Sequence, residues 1–143
     1  MSTYADSTDA DSYFATRLHT EVWDASSSAD RVKALEMATR SIDRLDYQGS
    51  KYDENQVNEF PRGDIADVPD DIKIACCEIA LQRLDGKDPD MEYEALVNVS
   101  EGYSSVRRTY SRAHAQDHIL HGIVSSTAWR RLLPYLRDGS NIT

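Results

Sequence analysis

The sequence predicts a mainly α protein, a small helical bundle of about four helices with a long inter-helix loop, an extended C-terminal arm and a short C-terminal helix. Three observations predict it. Apolar residues recur at helical steps in two long stretches, one from about Ala29 to Leu45 and one opening at Val68-Pro69-Asp70-Asp71 and running to Gly86. Between them lies a loop ending in Phe60-Pro61-Arg62-Gly63, far longer than the roughly 4 to 6 residues most connections take. The one stretch rich in β-branched and aromatic residues, 103–110, lacks the strict alternation of a half-buried strand.

At 143 residues the chain fits one domain, divided into a flexible N-terminus (1–8), a helical core (9–100) and a C-terminal arm with short helix and tail (101–143). From Asp9, early acids and the pair Phe14 and Leu18, four apart, predict a short first helix. Trp23 falls in a turn-like stretch. Ser26-Ser27-Ser28 supplies N-cap candidates for the next helix, with Asp30 in its first turn. There Leu35, Ala38, Ile42 and Leu45 form one apolar stripe, with Arg31, Lys33, Glu36, Arg40 and Asp43 mostly elsewhere.

The helix after Pro69 is apolar on two sides. Ile72, Ala75, Cys76, Ile79 and Ala80 fall on one, and Ile74, Cys77, Leu81 and Leu84 nearly opposite, leaving narrow polar strips at Lys73, Glu78, Gln82 and Arg83. Such a helix is central, either sandwiched among its own neighbours or covered on its second face by another copy. Pro69 in the first turn and Gly86 past the end mark its limits. Beyond it, 91–97 predicts a short helix and 103–110 an extended arm or short strand. Ser125-Ser126-Thr127 then precedes a helical pattern of Trp129, Leu132, Leu133 and Leu136, which Pro134 kinks or stops, before a frayed tail from Asp138.

Twenty-five acidic residues against sixteen basic give a formal charge of -9. A surface that acidic repels phosphate backbones, which disfavours sequence-independent nucleic-acid binding unless the bases gather on one face. They gather in part: Arg107, Arg108, Arg112, Arg130, Arg131 and Arg137 all lie in the last third. No apolar run approaches the roughly 20 residues of a membrane span, and the N-terminus lacks the basic start and apolar core of a signal peptide. Adjacent Cys76 and Cys77 read as reduced core residues of a protein made in a cytosol.

His114, His118 and His121 with Asp117 have spacings that suit ligands on one helix face, but no matched second ligand group accompanies them, so exposed or capping histidines are expected and no metal or cofactor. A glycine-rich phosphate loop, a nucleophile elbow and a two-cysteine metal pattern are all missing, and no enzymatic activity is expected. Arg62, bracketed by Glu59 and Asp64, either pairs with a carboxylate or caps a helix, or it contacts a partner beside Phe60. Tyr103, Arg107, Arg108, Tyr110 and Arg112 form a small cluster of the stacking-plus-cation kind that binds single strands.

Tyr13-Phe14 with Arg17-Leu18, Trp23, Ala34-Leu35 to Ala38-Thr39, Ile42-Asp43, Gly49, Gln56, Phe60-Pro61-Arg62 and Val68-Pro69, followed in order by Ile72, Ala75, Glu78, Ala80 and Leu84-Asp85-Gly86, resemble the small helical head-tail connector proteins of tailed bacteriophages. The likeness runs from about residue 4 to about residue 137, and the C-terminal third diverges most. Some relatives carry the label of a DnaT-like single-stranded DNA-binding protein, which supplies the alternative function; a neck stopper or tail-completion protein is closer kin. The resemblance implies a virion protein, synthesised in the host bacterial cytoplasm, that forms a homo-oligomeric ring of twelve copies beneath the portal. It would join the filled capsid to the next neck or tail protein, with double-stranded DNA passing through its lumen and no membrane involved. It implies a lumen- or tail-side role for the loop from Gly49 to Asp67, with Phe60, Arg62, Ile74 and Leu81 at the inter-subunit or neck interface. The portal-side element would be Tyr103 to Leu136, with Arg107, Arg108, Tyr110, Trp129, Arg130, Arg131 and Tyr135.

Overall fold

Asp6 starts the first helix, α1 (Ser7–Phe14). Its carboxylate accepts the Asp9 amide at 2.7 Å while the Asp9 carboxylate accepts the Asp6 amide at 3.2 Å, so two donors that the helix leaves unpaired are satisfied reciprocally. The computed structural model describes residues 2–91, 93–94 and 117–137, and it is mainly helical, with isolated bridges but no strands among the described residues. Ahead of α1, Tyr4 and Ala5 are 4% and 1% exposed, and the Tyr4 amide donates to Thr39 Oγ1. In a stretch expected to be flexible, one buried tyrosine is an anchor that average polarity did not suggest.

A short helix, α2 (Glu21–Ala25), occupies the stretch read as a turn. Trp23 at its centre is 1% exposed, and its indole N–H donates to Asp11 at 2.8 Å. Ser27 then caps α3 (Ser28–Asp43) by accepting the Asp30 amide, and Ala34, Leu35, Ala38 and Ile42 form its buried stripe. Pro69 stands at the N-cap of α4 (Asp70–Leu84), where a missing N–H costs nothing, and Asp70 and Asp71 complement the positive helix start.

Both apolar sides of α4 are used within the chain. The helix packs on α3, where Cys76 meets Thr39, and on a C-terminal helix, α6 (Ser126–Leu132), while its Ile74 and Cys77 side lies beside Tyr13 of α1; Ile72, Ala75, Cys76, Ile79 and Ala80 are fully buried and Cys77 and Leu81 nearly so. Each large apolar side chain so buried contributes about 2 kcal/mol. Of the two ways to cover a two-sided helix, the fold uses the intramolecular one. Cys76 and Cys77 are free, and burial pushes the Cys76 thiol up to about 11, which makes it a packing residue and not a nucleophile at neutral pH.

Before α6 runs a short α5 (Asp117–Leu120), and after it a 3-10 turn (Leu133–Tyr135) begins where Pro134 stops the α-helix. This C-terminal piece is sewn to the loop between α3 and α4. Tyr47 bridges Leu136, the Gln48 amide donates to the Tyr135 carbonyl at 2.9 Å, and the Arg137 amide donates to the Asp46 carbonyl at 3.0 Å. Within 117–137, Ile123, Ala128, Trp129, Leu132 and Leu136 pack into the same core as α3 and α4. Within 91–97, residues 91, 93 and 94 are helical; the rest of that stretch, the 103–110 arm and the tail from 138 lie outside the described residues.

Candidate functional site

The loop between α3 and α4 has a base and a tip. At its base Gly49 and Gly63 turn the backbone with φ of 73° and 68°, values that favour glycine. Between them Lys51 and Arg62 form an antiparallel bridge, with the Tyr52 amide donating to the Pro61 carbonyl and the Gly63 amide to the Ser50 carbonyl. Arg62 fastens this ladder to the core. Its Nε donates to the Gln48 carbonyl at 2.9 Å, one terminal nitrogen to the Glu59 carbonyl and carboxylate at 3.1 Å each, and the other to the Gly49 carbonyl at 2.8 Å. The guanidinium also lies over the Tyr47 ring.

Phe60, joined to Pro61 by a cis peptide bond, is 3% exposed at the centre of an aromatic cluster. Tyr4, Tyr47 and Tyr135 each meet it edge-on, with ring centroids 6.0, 4.7 and 5.8 Å away. Thus the N-terminal segment, the loop and the C-terminal turn converge on one ring. Around it the Tyr4 hydroxyl donates to Asp43 and accepts the Phe60 amide, and the Tyr47 hydroxyl donates to the Ile42 carbonyl at 2.6 Å. Burial holds the Tyr4 and Tyr47 phenols well above their usual range, and it also raises the Asp43 carboxyl although the hydrogen bond from Tyr4 opposes it.

The tip is ordered but unburied. Gln56 holds it by accepting the Asp53 amide and donating to the Asn58 and Pro61 carbonyls, yet Val57 is 89% exposed, Tyr52 51% and Ile65, further along, 68%. Asp53, Glu54 and Asp64, which line one shallow pocket with Tyr52, are exposed too.

The residues singled out from sequence divide accordingly. Phe60 and Leu81 are buried within their own chain, and Arg62, expected either to pair with a carboxylate or to contact a partner, bonds Glu59 and the carbonyls of the loop; aromatic and guanidinium groups anchor folds as readily as interfaces. Ile74 is half-buried beside Tyr13. Trp129 is 7% exposed, while Arg131 donates to Asp71 at 2.8 Å and the Tyr135 hydroxyl to the same carboxylate at 3.1 Å. Only Arg130 of that group is exposed with no partner among the described residues. Arg107, Arg108, Tyr110, Tyr103, Arg112 and His114 lie outside the described residues. His118 bonds the Ile123 carbonyl through Nδ1, whereas His121 stacks on Trp129, so the two rings serve different neighbours.

One site escaped the sequence reading. Glu78, assigned to a polar strip, is 1% exposed, and its carboxylate accepts from Arg17 Nε at 2.7 Å, Arg17 Nη2 at 3.0 Å and the Tyr13 hydroxyl at 2.5 Å. Arg17 reaches on to the Leu18 and His19 carbonyls, steadying His19 at a left-handed φ of 64°. Burial and the bond to Glu78 push the Tyr13 phenol up to about 12. A carboxylate on a helix with apolar residues on both faces was the available signal, with Tyr13 and Arg17 one helical turn apart as its partners.

This geometry is that of fixed anchors and a presented surface. The polar clusters around Arg62 and Glu78 hold elements together, and no group of three or more His, Cys, Asp or Glu is arranged to hold a metal among the described residues. No curated protein and no solved structure matches the chain. A family model does, over residues 1–140, and its description reads "Putative DnaT-like ssDNA binding protein". With nearly the whole length matched, the chain belongs to that DnaT-like family.

Proposed function

We propose that the protein is a structural virion component, a head-to-tail adaptor that assembles as a homo-oligomeric ring beneath the portal and joins it to the next neck or tail protein. One observation carries this reading: a loop held rigid at its base by Arg62 and Phe60 presents Val57 and Tyr52 to solvent. Ordering a loop costs conformational entropy, and an ordered tip with exposed apolar side chains has that cost already met before a protein partner arrives. The arginine usage agrees. Arg17, Arg62 and Arg131 are spent on carboxylates and carbonyls of the same chain, and the formal net charge of -9 disfavours a phosphate tract. In a ring, acidic walls would let DNA pass without adhering.

The family description favours a second reading, binding of single-stranded DNA. Mixing the purified chain with its portal and imaging the product separates the two. A ring seated on the narrow end of the portal is expected. A chain that ignores the portal, and instead binds oligothymidylate with an affinity falling steeply from low to moderate salt, would establish the single-strand reading in its place.

A further inference from the structure

We propose that the loop tip of one copy seats in a cleft between α3 and α6 of a second copy, so that the chain associates head to tail. The inference rests on the ring reading and names the two surfaces involved. The cleft, about 300 Å³, lies where the end of α3 meets α6 and the residues after the 3-10 turn. Trp129 and Leu45 supply apolar lining, His121 stacks on Trp129, and Arg44, Asp46 and Arg137 bring the charge.

Two features make this cleft a receptor. The Arg44 side chain forms no ion pair or hydrogen bond with any described residue, in contrast to Arg17, Arg62 and Arg131. Arg137 pairs with Asp46 at 3.2 Å, but both side chains are more than half exposed, so the pair is weak and easily exchanged for another carboxylate. The cleft thus offers two guanidinium groups beside an apolar floor.

The tip is its complement. Val57 is the most exposed large apolar side chain among those described, at 89%, and Asp53 and Glu54, exposed as well, precede it in the same loop. Valine on the Leu45 and Trp129 floor with the two carboxylates on Arg44 and Arg137 would join apolar to apolar and acid to base. Because tip and cleft are different patches of one chain, a pair keeps one free tip and one free cleft, the heterologous arrangement that closes into a ring when its rotation allows. A nucleotide of a single strand also suits arginine and an aromatic ring, but it would leave Val57 uncovered.

The test is sedimentation equilibrium of the full chain from dilute to concentrated solution, with Val57→Asp and Arg44→Glu as variants. The wild type should associate, and each substitution should weaken the association constant by at least about tenfold, since each removes a buried contact worth more than about 1.4 kcal/mol. Val57→Cys mixed with Arg44→Cys should cross-link two different chains on oxidation, with the native cysteines out of reach in the core. Association unchanged by both substitutions overturns this interface and leaves the adaptor reading standing. A chain monomeric at every concentration that still seats on the portal overturns it as well. Fluorescein-labelled oligothymidylate bound by a monomer, and lost in Arg44→Glu, gives the cleft to nucleic acid and overturns both.

Discussion

The base and the tip of the loop between α3 and α4 are a few residues apart and opposite in character. At the base Phe60 is 3% exposed among three tyrosines and Arg62 gives its donors to backbone carbonyls; at the tip Val57 is 89% exposed although Gln56 holds the turn on both sides. Both parts are ordered, but only the base recovers the cost of order through burial. The difference separates residues that make the loop from residues that the loop was made to present. Substitutions at the base should therefore cost folding, and substitutions at the tip should cost assembly.

The largest effect on stability is expected from Phe60→Ala. It would open a void where Tyr4, Tyr47 and Tyr135 now meet, and replacing a buried phenylalanine by alanine costs about 3 to 5 kcal/mol. Urea denaturation followed by circular dichroism measures it. A loss under about 1 kcal/mol would show that the aromatic cluster is not the anchor.

Arg62→Ala comes next, at about 2 kcal/mol, because charge-assisted bonds to several carbonyls are lost together. Arg62→Lys should recover little of it, since an ammonium cannot reproduce the planar fork that reaches the Gln48, Glu59 and Gly49 carbonyls from one position. Full recovery by lysine would mean that only the charge beside Glu59 matters.

A smaller effect distinguishes the base by pH. Burial raises the Tyr4 and Tyr47 phenols, so the folded chain keeps their protons more tightly than the unfolded chain does. Their contribution is complete below the ordinary phenol value of about 10 and is lost as pH rises beyond it. Melting temperature should fall across that range, and Tyr47→Phe should flatten the fall while costing about 1 kcal/mol at neutral pH for the bond to the Ile42 carbonyl. An unchanged slope in Tyr47→Phe would separate alkaline unfolding from this cluster.

Much of the scaffold was legible from periodicity. The stripe of α3 and the two-sided α4 were readable because local spacing alone decides which faces of a helix are apolar. What could not be read is long-range. Tyr4 is anchored by Thr39 and Asp43, Glu78 by Tyr13 and Arg17, and Arg62 by carbonyls near residue 48, and no local spacing says which distant residues meet in these pairings. The loop was recognisable as unusual for its length, and the pairing of Arg62 with a neighbouring carboxylate was among its readings, but nothing in the spacing showed which side chains the loop exposes. Phe60 and Arg62 looked like contacts because they are the residue types of contacts, whereas Val57 carries no such mark.

Val57→Ser gives the smallest expected effect on folding and the sharpest contrast with the base. An exposed side chain with no packing partner should leave the unfolding free energy within about 0.5 kcal/mol of wild type. The same substitution removes the apolar centre of the tip, so assembly should suffer while the melting temperature holds. A measurable loss of stability would place Val57 with Phe60 as a folding residue. Unchanged stability with weakened assembly would confirm that a few residues of ordered loop divide the work between making the subunit and joining it to the next.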